Sequence, residues 1–189
     1  EGANTSFQLH LRVDPDRFTA HFNSAQLATA PVLAAAGNSP TFLGHRLWEE
    51  TRVALFKQAV DDRDATGRSS RRLSRVAFGT GWTRGGPLEL LEESVRLHEP
   101  VLPVVGPERP LDQLEGGGVP ALEELRLHQG TVWRWNRAIY DPAEGGHVRI
   151  ELRALPAGPT VIDMCANAAF ALGLTLALAA DADTWVRRV

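Results

Sequence analysis

Residues 147–163 read "HVRIELRALPAGPTVID", and this stretch decides the architecture. From His147 onward, apolar and charged residues alternate. Val148, Ile150 and Leu152 fall on one side, and Arg149, Glu151 and Arg153 on the other. A period of two is that of a strand with one buried face. Pro156, Gly158 and Pro159 break the pattern, and Thr160 with Asp163 has the spacing of a helix-capping box. The apolar run to about Ala180 then predicts a helix. The polar face of the strand is the unusual part. Solvated strand faces mix Thr, Ser and Lys, whereas this one carries Arg-Glu-Arg.

The neighbouring segments extend the picture. "GTVWRWNRAIY" (130–140) reads as a strand joined to the first through "DPAEGG", a good hairpin connection. On it Trp133, Trp135 and Arg137 share one face, and Arg134 and Asn136 the other. "NTSFQLHLRV" (4–13) alternates as a third strand, with Ser6, Gln8, His10 and Arg12 on one face. A helix should follow, with Asp14 as N-cap and Pro15 at its first position, and Pro31 should kink or split it. "GNSPTFLGHR" (37–46) reads as a loop, and "LWEETRVALFKQAV" (47–60) as a helix with Leu47, Val53 and Phe56 among its apolar positions.

"DDRDATGRSSRR" (61–72) has the composition of a mobile surface loop. "RVAF" (75–78) reads as a short strand, Pro87 opens another helix, and 100–120 holds too much Pro and Gly for a long regular element. "ALEELRLHQ" (121–129) reads as a short helix. Hairpin strands with long helices between them predict an α+β fold. An antiparallel sheet, with helices on one face, forms a single domain over residues 1–189.

Composition narrows the classes. Hydrophobic residues make up 43% and charged residues 23%, as in a soluble globular protein. The net charge of -3 gives no electrostatic reason to bind nucleic acid or an anionic membrane. The one cysteine, Cys165, rules out an internal disulfide and suits a reducing cytosol, so a cytoplasmic location is expected. Within an apolar helix it reads as an inert core residue. That helix falls short of the roughly 20 residues of a membrane span and is bounded by Asp163 and Asp181, so it should pack against the sheet. The chain opens on Glu1 with no initiator Met, which fits a piece cut from a longer protein.

No HxxxH or CxxC pair is present, so a zinc site is not expected. P-loop, Rossmann and GxSxG signatures are also missing. What the strands offer instead is a floor of Arg, Glu, Gln and His. Arginine holds carboxylate or phosphate through paired hydrogen bonds, and a glutamate among phosphates is a usual Mg²⁺ ligand. The other reading of the row is a solvated face whose exposed Arg–Glu pairs each stabilise by about 0–1 kcal/mol.

Four segments occur in one order: "NTSFQLHLRVD", "AAAGNSPTFLGHR" followed by "EETRVALF", "GTVWRWNRAIYD", and "VRIELRALPAGPTVIDMCANAAFALGL". Together they resemble the glutamate–cysteine ligase type 2 family, the carboxylate–amine ligases, over almost the whole chain. The resemblance implies a catalytic sheet like that of glutamine synthetase and the guanidino kinases. It implies ATP and Mg²⁺, with phosphorylation of the glutamate side chain and attack by the amine of cysteine.

By the same resemblance, Glu151 and Arg153 are the catalytic candidates. Glu151 matches a metal-binding glutamate, and Arg153 the arginine that meets the transferring phosphoryl group. Arg52 is the candidate for the substrate carboxylate. Gln8 and His10 match polar positions on the substrate-side strand, and Asn38 and Ser39 the "NSP" loop. Arg149 and Arg137 complete the substrate-binding set.

The family's early acidic strand, which supplies further metal ligands, has no counterpart here. The chain therefore reads as the central and C-terminal part of such an enzyme, inactive in isolation. Its partners would be small molecules, with no nucleic acid and no membrane. A ligase with another amine, or a non-catalytic remnant of the same fold, are the alternative readings.

Overall fold

The computed structural model of the chain describes residues 2–63 and 73–189. Strand β5 (His147–Leu152) is central in a three-stranded antiparallel sheet of order β1–β5–β4, with β1 at Leu9–Arg12 and β4 at Asn136–Asp141. The register sets His10 and Arg137 on either side of Glu151, and Arg12 and Ile139 on either side of Arg149. Strands β4 and β5 are joined by Pro142–Gly146, in which Glu144, Gly145 and Gly146 all have positive φ. A Cβ on Gly146 would lie 3.1 Å from Val119, so glycine is needed there for space as well as for backbone conformation.

Helix α1 (Phe18–Ala36) lies across the inward face of this sheet. Phe18, Phe22, Ala25, Thr29, Val32 and Ala36 recur every three or four residues and are all buried. Opposite them sit Ile150, Leu152 and Leu155, with Ile150 sealed from solvent. A short 3₁₀ turn, Pro15–Arg17, leads into α1, and its entry is capped by Asp14 Oδ1, which accepts from the Asp16 amide at 3.0 Å. Pro31 does not split α1. Its ring faces solvent, and packing of Phe22, Ala28, Val32 and Ala36 on both sides of it holds the helix through the lost hydrogen bond.

The segment 37–46 is not all loop. Thr41–Phe42 (β2) and His45–Arg46 (β3) form a small hairpin. Leu43 and Gly44 both have positive φ, the geometry that a two-residue hairpin turn requires. Helix α2 (Thr51–Ala59) starts four residues later than the periodicity suggested, so Leu47 is left exposed. Val53 and Phe56 pack, as expected, against a second cluster of Val76, Trp135 and Ala154.

The "RVAF" segment is not a strand. It gives Trp135 one backbone acceptor, Ala77 O at 3.1 Å, and is otherwise bent. Most of the charged loop expected at 61–72 lies outside the described residues. Helices α3 (Pro87–Leu97), α4 (Pro110–Glu115) and α5 (Glu123–Gly130) follow, α3 packing beside β4.

Helix α6 (Val161–Ala179) begins at Thr160, whose hydroxyl accepts from the Asp163 amide at 3.2 Å. It packs along α1 through a stripe of small side chains, Ala171, Thr175 and Ala179. Burial ends with that stripe. Val161 is 74% and Ile162 81% exposed, and Phe170 and Leu176 face outward too. Cys165 lies on this outer side and is exposed, not a core residue. By length and composition alone α6 could cross a membrane. A last short helix, α7 (Ala182–Val186), returns onto α1.

Candidate functional site

The outward face of the sheet carries the charged row. Alternation along β5 sends Ile150 and Leu152 inward and leaves Arg149, Glu151 and Arg153 on the opposite side, next to His10 of β1 and Arg137 of β4. Gln8, two residues before His10, is exposed beside them. Five of the nine residues singled out from the sequence, His10, Arg137, Arg149, Glu151 and Arg153, are thus joined in one chain of contacts.

Glu151 is the hub. It is only 3% exposed, because cationic side chains cover it. Arg137 Nε donates to Oε2 at 2.6 Å, Arg153 Nε lies 3.5 Å from the same oxygen, and His10 Nε2 lies 3.6 Å from Oε1. A carboxylate can be buried only when paired, and here three cation-forming groups do so. Arg137 also donates from Nη1 to Gln129 O at 3.0 Å, which ties α5 to the row.

Arg149 donates through Nε to His10 Nδ1 at 2.9 Å and through Nη1 to Asp141. Since His10 Nδ1 accepts, its proton sits on Nε2, toward Glu151. Burial, and then Arg149 and Arg137, hold the His10 imidazole below its ordinary value, against the pull of Glu151. The Arg149 guanidinium holds the Asp141 carboxyl below the usual range in turn.

Arg153 stands at the end of the row, over the ring of Phe56 at 5.7 Å. Nη1 donates to Arg134 O at 3.2 Å, while Nε is buried without a hydrogen-bond partner. Burial first, then Arg137 and Arg52, lower this guanidinium to about 10, with Glu151 opposing. It is still charged at neutral pH, in a place where a further anion would be welcome.

Arg52 sits behind the face rather than on it. It is 3% exposed, and Nε donates to Glu50 at 2.8 Å, Nη2 to Ala154 O, with the guanidinium against Trp135. Ser39 Oγ accepts from the Arg52 amide at 3.2 Å, and the Asn38 amide donates to Glu50 at 2.9 Å. The "NSP" loop and the start of α2 therefore form one knit unit, from which Arg52 braces the backbone next to Arg153. Trp135 is core and Trp133 packs beside it.

Two buried arginines had no signal in the sequence. Arg75 is held by Asp62, Glu99 O and Thr131, and Arg134 by Glu93 at 3.0 Å. Arg126 and Gln129 of α5 were missed as well. They border the row on its β4 side, and nothing in "ALEELRLHQ" marks them out from an ordinary solvated helix face.

The donor set decides what the face can hold. Among the described residues no group of three His, Cys, Asp or Glu side chains comes together. Oε2 of Glu151 is taken by Arg137 and Arg153, and Oε1 faces the N–H of the His10 imidazole. These residues do not fit a divalent cation by themselves; they fit an anion. The cleft beside the row measures about 180 Å³, below the usual range for sites that enclose a nucleotide-sized ligand.

No family model, curated protein or solved structure matches the chain.

Proposed function

We propose that this chain carries the arginine face of an ATP-dependent carboxylate–amine ligase, with glutamate as carboxylate and cysteine as the first amine to test. The observation that supports it is Arg153. It is a mostly buried guanidinium, packed over Phe56, with an unsatisfied Nε and two further arginines near it. In such a reaction the terminal phosphoryl group of ATP moves to a carboxylate oxygen, giving ADP and an acyl phosphate. The amine nitrogen then attacks the acyl carbon, phosphate leaves, and the nitrogen loses a proton. Negative charge collects on the phosphoryl oxygens, and preorganised cations stabilise it without reorganisation.

In this reading Arg153 meets the phosphoryl oxygens, and Arg137 and Arg149 orient the carboxylate substrate. Glu151 is a positioning residue that holds Arg137 and Arg153 to one side of the sheet. Arg52 acts through the backbone at Ala154. In this reading the sheet, with helices on one face and charge on the other, is this chain's share of a glutamine synthetase-like or guanidino kinase-like catalytic sheet. The reading carries with it a cytoplasmic location and small-molecule partners only. Mg²⁺ would need ligands beyond the described residues, and no step is assigned to it.

A second reading, a binding or structural module without turnover, is favoured by one observation. Two arginines hold Oε2 of Glu151, and no acidic cluster accompanies it among the described residues. ADP release with glutamate against a panel of amines separates the two. In a longer parent protein, release that depends on glutamate and on Arg153 is expected, and none from the 189 residues alone. A parent that binds glutamate but releases no ADP with any amine supports the module instead. Release with an amine other than cysteine corrects the acceptor.

A further inference from the structure

Beside the Glu151 row, a cleft runs between α5 and the outward side of β4. Arg126 of α5, Arg137 of β4 and Arg149 of β5 all line it, with Leu125 and Ile139 as apolar walls, and no Asp or Glu lines it. Its volume of about 180 Å³ suits a small ligand.

The three arginines are not equally occupied. Arg137 spends Nε on Glu151 and Nη1 on Gln129 O; Arg149 spends Nε on His10 and Nη1 on Asp141. Those partners fix the guanidinium planes from behind, and in each the second terminal nitrogen makes no hydrogen bond among the described residues. Arg126 is exposed and makes no ion pair within 4 Å among the described residues, its charge reaching Glu108 only at longer range. The helix that carries it is itself anchored, because Glu108 accepts from the amides of Ala121, Leu122 and Glu123 at its start.

We infer that this cleft is a binding site for a phosphoryl group, free or on a small monoester. Three guanidinium groups from three elements offer donors in more than one plane, which a tetrahedral oxyanion can use together. A single carboxylate is planar and is satisfied by one fork. The apolar walls at Leu125 and Ile139 leave room for a short carbon body. The site shares Arg137 and Arg149 with the ligase reading and adds Arg126, which plays no part in it; a phosphoryl group here would compete with the carboxylate substrate for the two shared arginines, and phosphate binding stands if the ligase reading fails.

The test uses the 189-residue chain and inorganic phosphate, titrated calorimetrically at fixed ionic strength with chloride as the balancing anion. Succinate serves as the carboxylate arm. Saturable phosphate binding is expected, weakened about tenfold by Arg126→Ala and further by Arg126→Glu. Arg126 is exposed and makes no close ion pair, so Arg126→Ala should melt with the wild type; Arg126→Glu adds a like charge near Glu108, and circular dichroism checks that it is folded. Binding that persists undiminished in both variants puts the anion elsewhere and overturns the proposal, as does no saturable binding at all. Succinate binding as tightly as phosphate, with the same dependence on Arg126, overturns the phosphoryl assignment. ADP release does not enter this experiment, so a failure here and a failure of the ligase reading are told apart.

Discussion

Glu151 has almost no contact with water and three cation-forming neighbours. Removing its charge leaves Arg137 and Arg153 beside a buried amide that cannot balance them. Glu151→Gln should therefore cost about 3–5 kcal/mol, the usual penalty for breaking a buried pair, where a solvated face would lose less than about 0.5 kcal/mol. Urea denaturation of the two proteins reads the difference directly. His98 makes a second prediction at this scale. Burial first, and then Arg75, Arg134 and His128, lower it to about 4, with only Asp62 opposing. The unfolded chain takes up this proton near pH 6.5, the folded chain near 4. The stability linked to His98 is thus intact above pH 6.5 and is lost as pH falls toward 4. Urea midpoints between pH 7 and 4.5 should fall, and His98→Gln should flatten the fall. The identity of the charged row was legible in the alternation at 147–153. Its pairing was not, because which arginine reaches Glu151 depends on the neighbouring strand's register.

Elements defined by strong local signals stood out in the sequence. Pro87 opens α3, Thr160 caps α6, and "DPAEGG" joins β4 to β5. Where tertiary packing competes with a local rule, packing won. Pro31 sits inside an unbroken α1 because apolar side chains on both sides of it are buried against the sheet. The helix still carries the loss of one hydrogen bond and a steric clash. Pro31→Ala should therefore raise stability, by about 1–3 kcal/mol, and leave the far-ultraviolet circular dichroism essentially unchanged. A lower melting temperature in that variant would mean that the ring itself is part of the packing. The "RVAF" segment fails as a strand for the complementary reason. Of its apolar residues Val76 packs with Trp135 while Phe78 is exposed, and the ladder it would join already ends at Asn136.

At the scale of the molecule, the sheet separates two environments. One side is a core built on Phe18, Phe22 and Ile150, the other an arginine face, and α+β was readable from the order of strands and helices. How α6 is used was not readable. An apolar helix looks the same in sequence whether one face or all faces are covered, and here only the Ala171–Thr175–Ala179 stripe is fully buried, with Leu174 partly covered beside it. Ile162→Gln should therefore change stability by less than about 0.5 kcal/mol, whereas Phe22→Ala should cost about 3–5 kcal/mol. Thermal melts on both variants check the asymmetry. The central claim is that the arginine face exists to hold an anion and not merely to tie three strands together. Its most direct test is a calorimetric titration of L-glutamate into the 189-residue chain, wild type and Arg149→Lys, at neutral pH and matched salt. The account predicts saturable binding that weakens about tenfold in the variant, with the far-ultraviolet circular dichroism unchanged, because lysine keeps the charge but loses the paired donors. Equal affinity in the two proteins, or no binding in either, would contradict it.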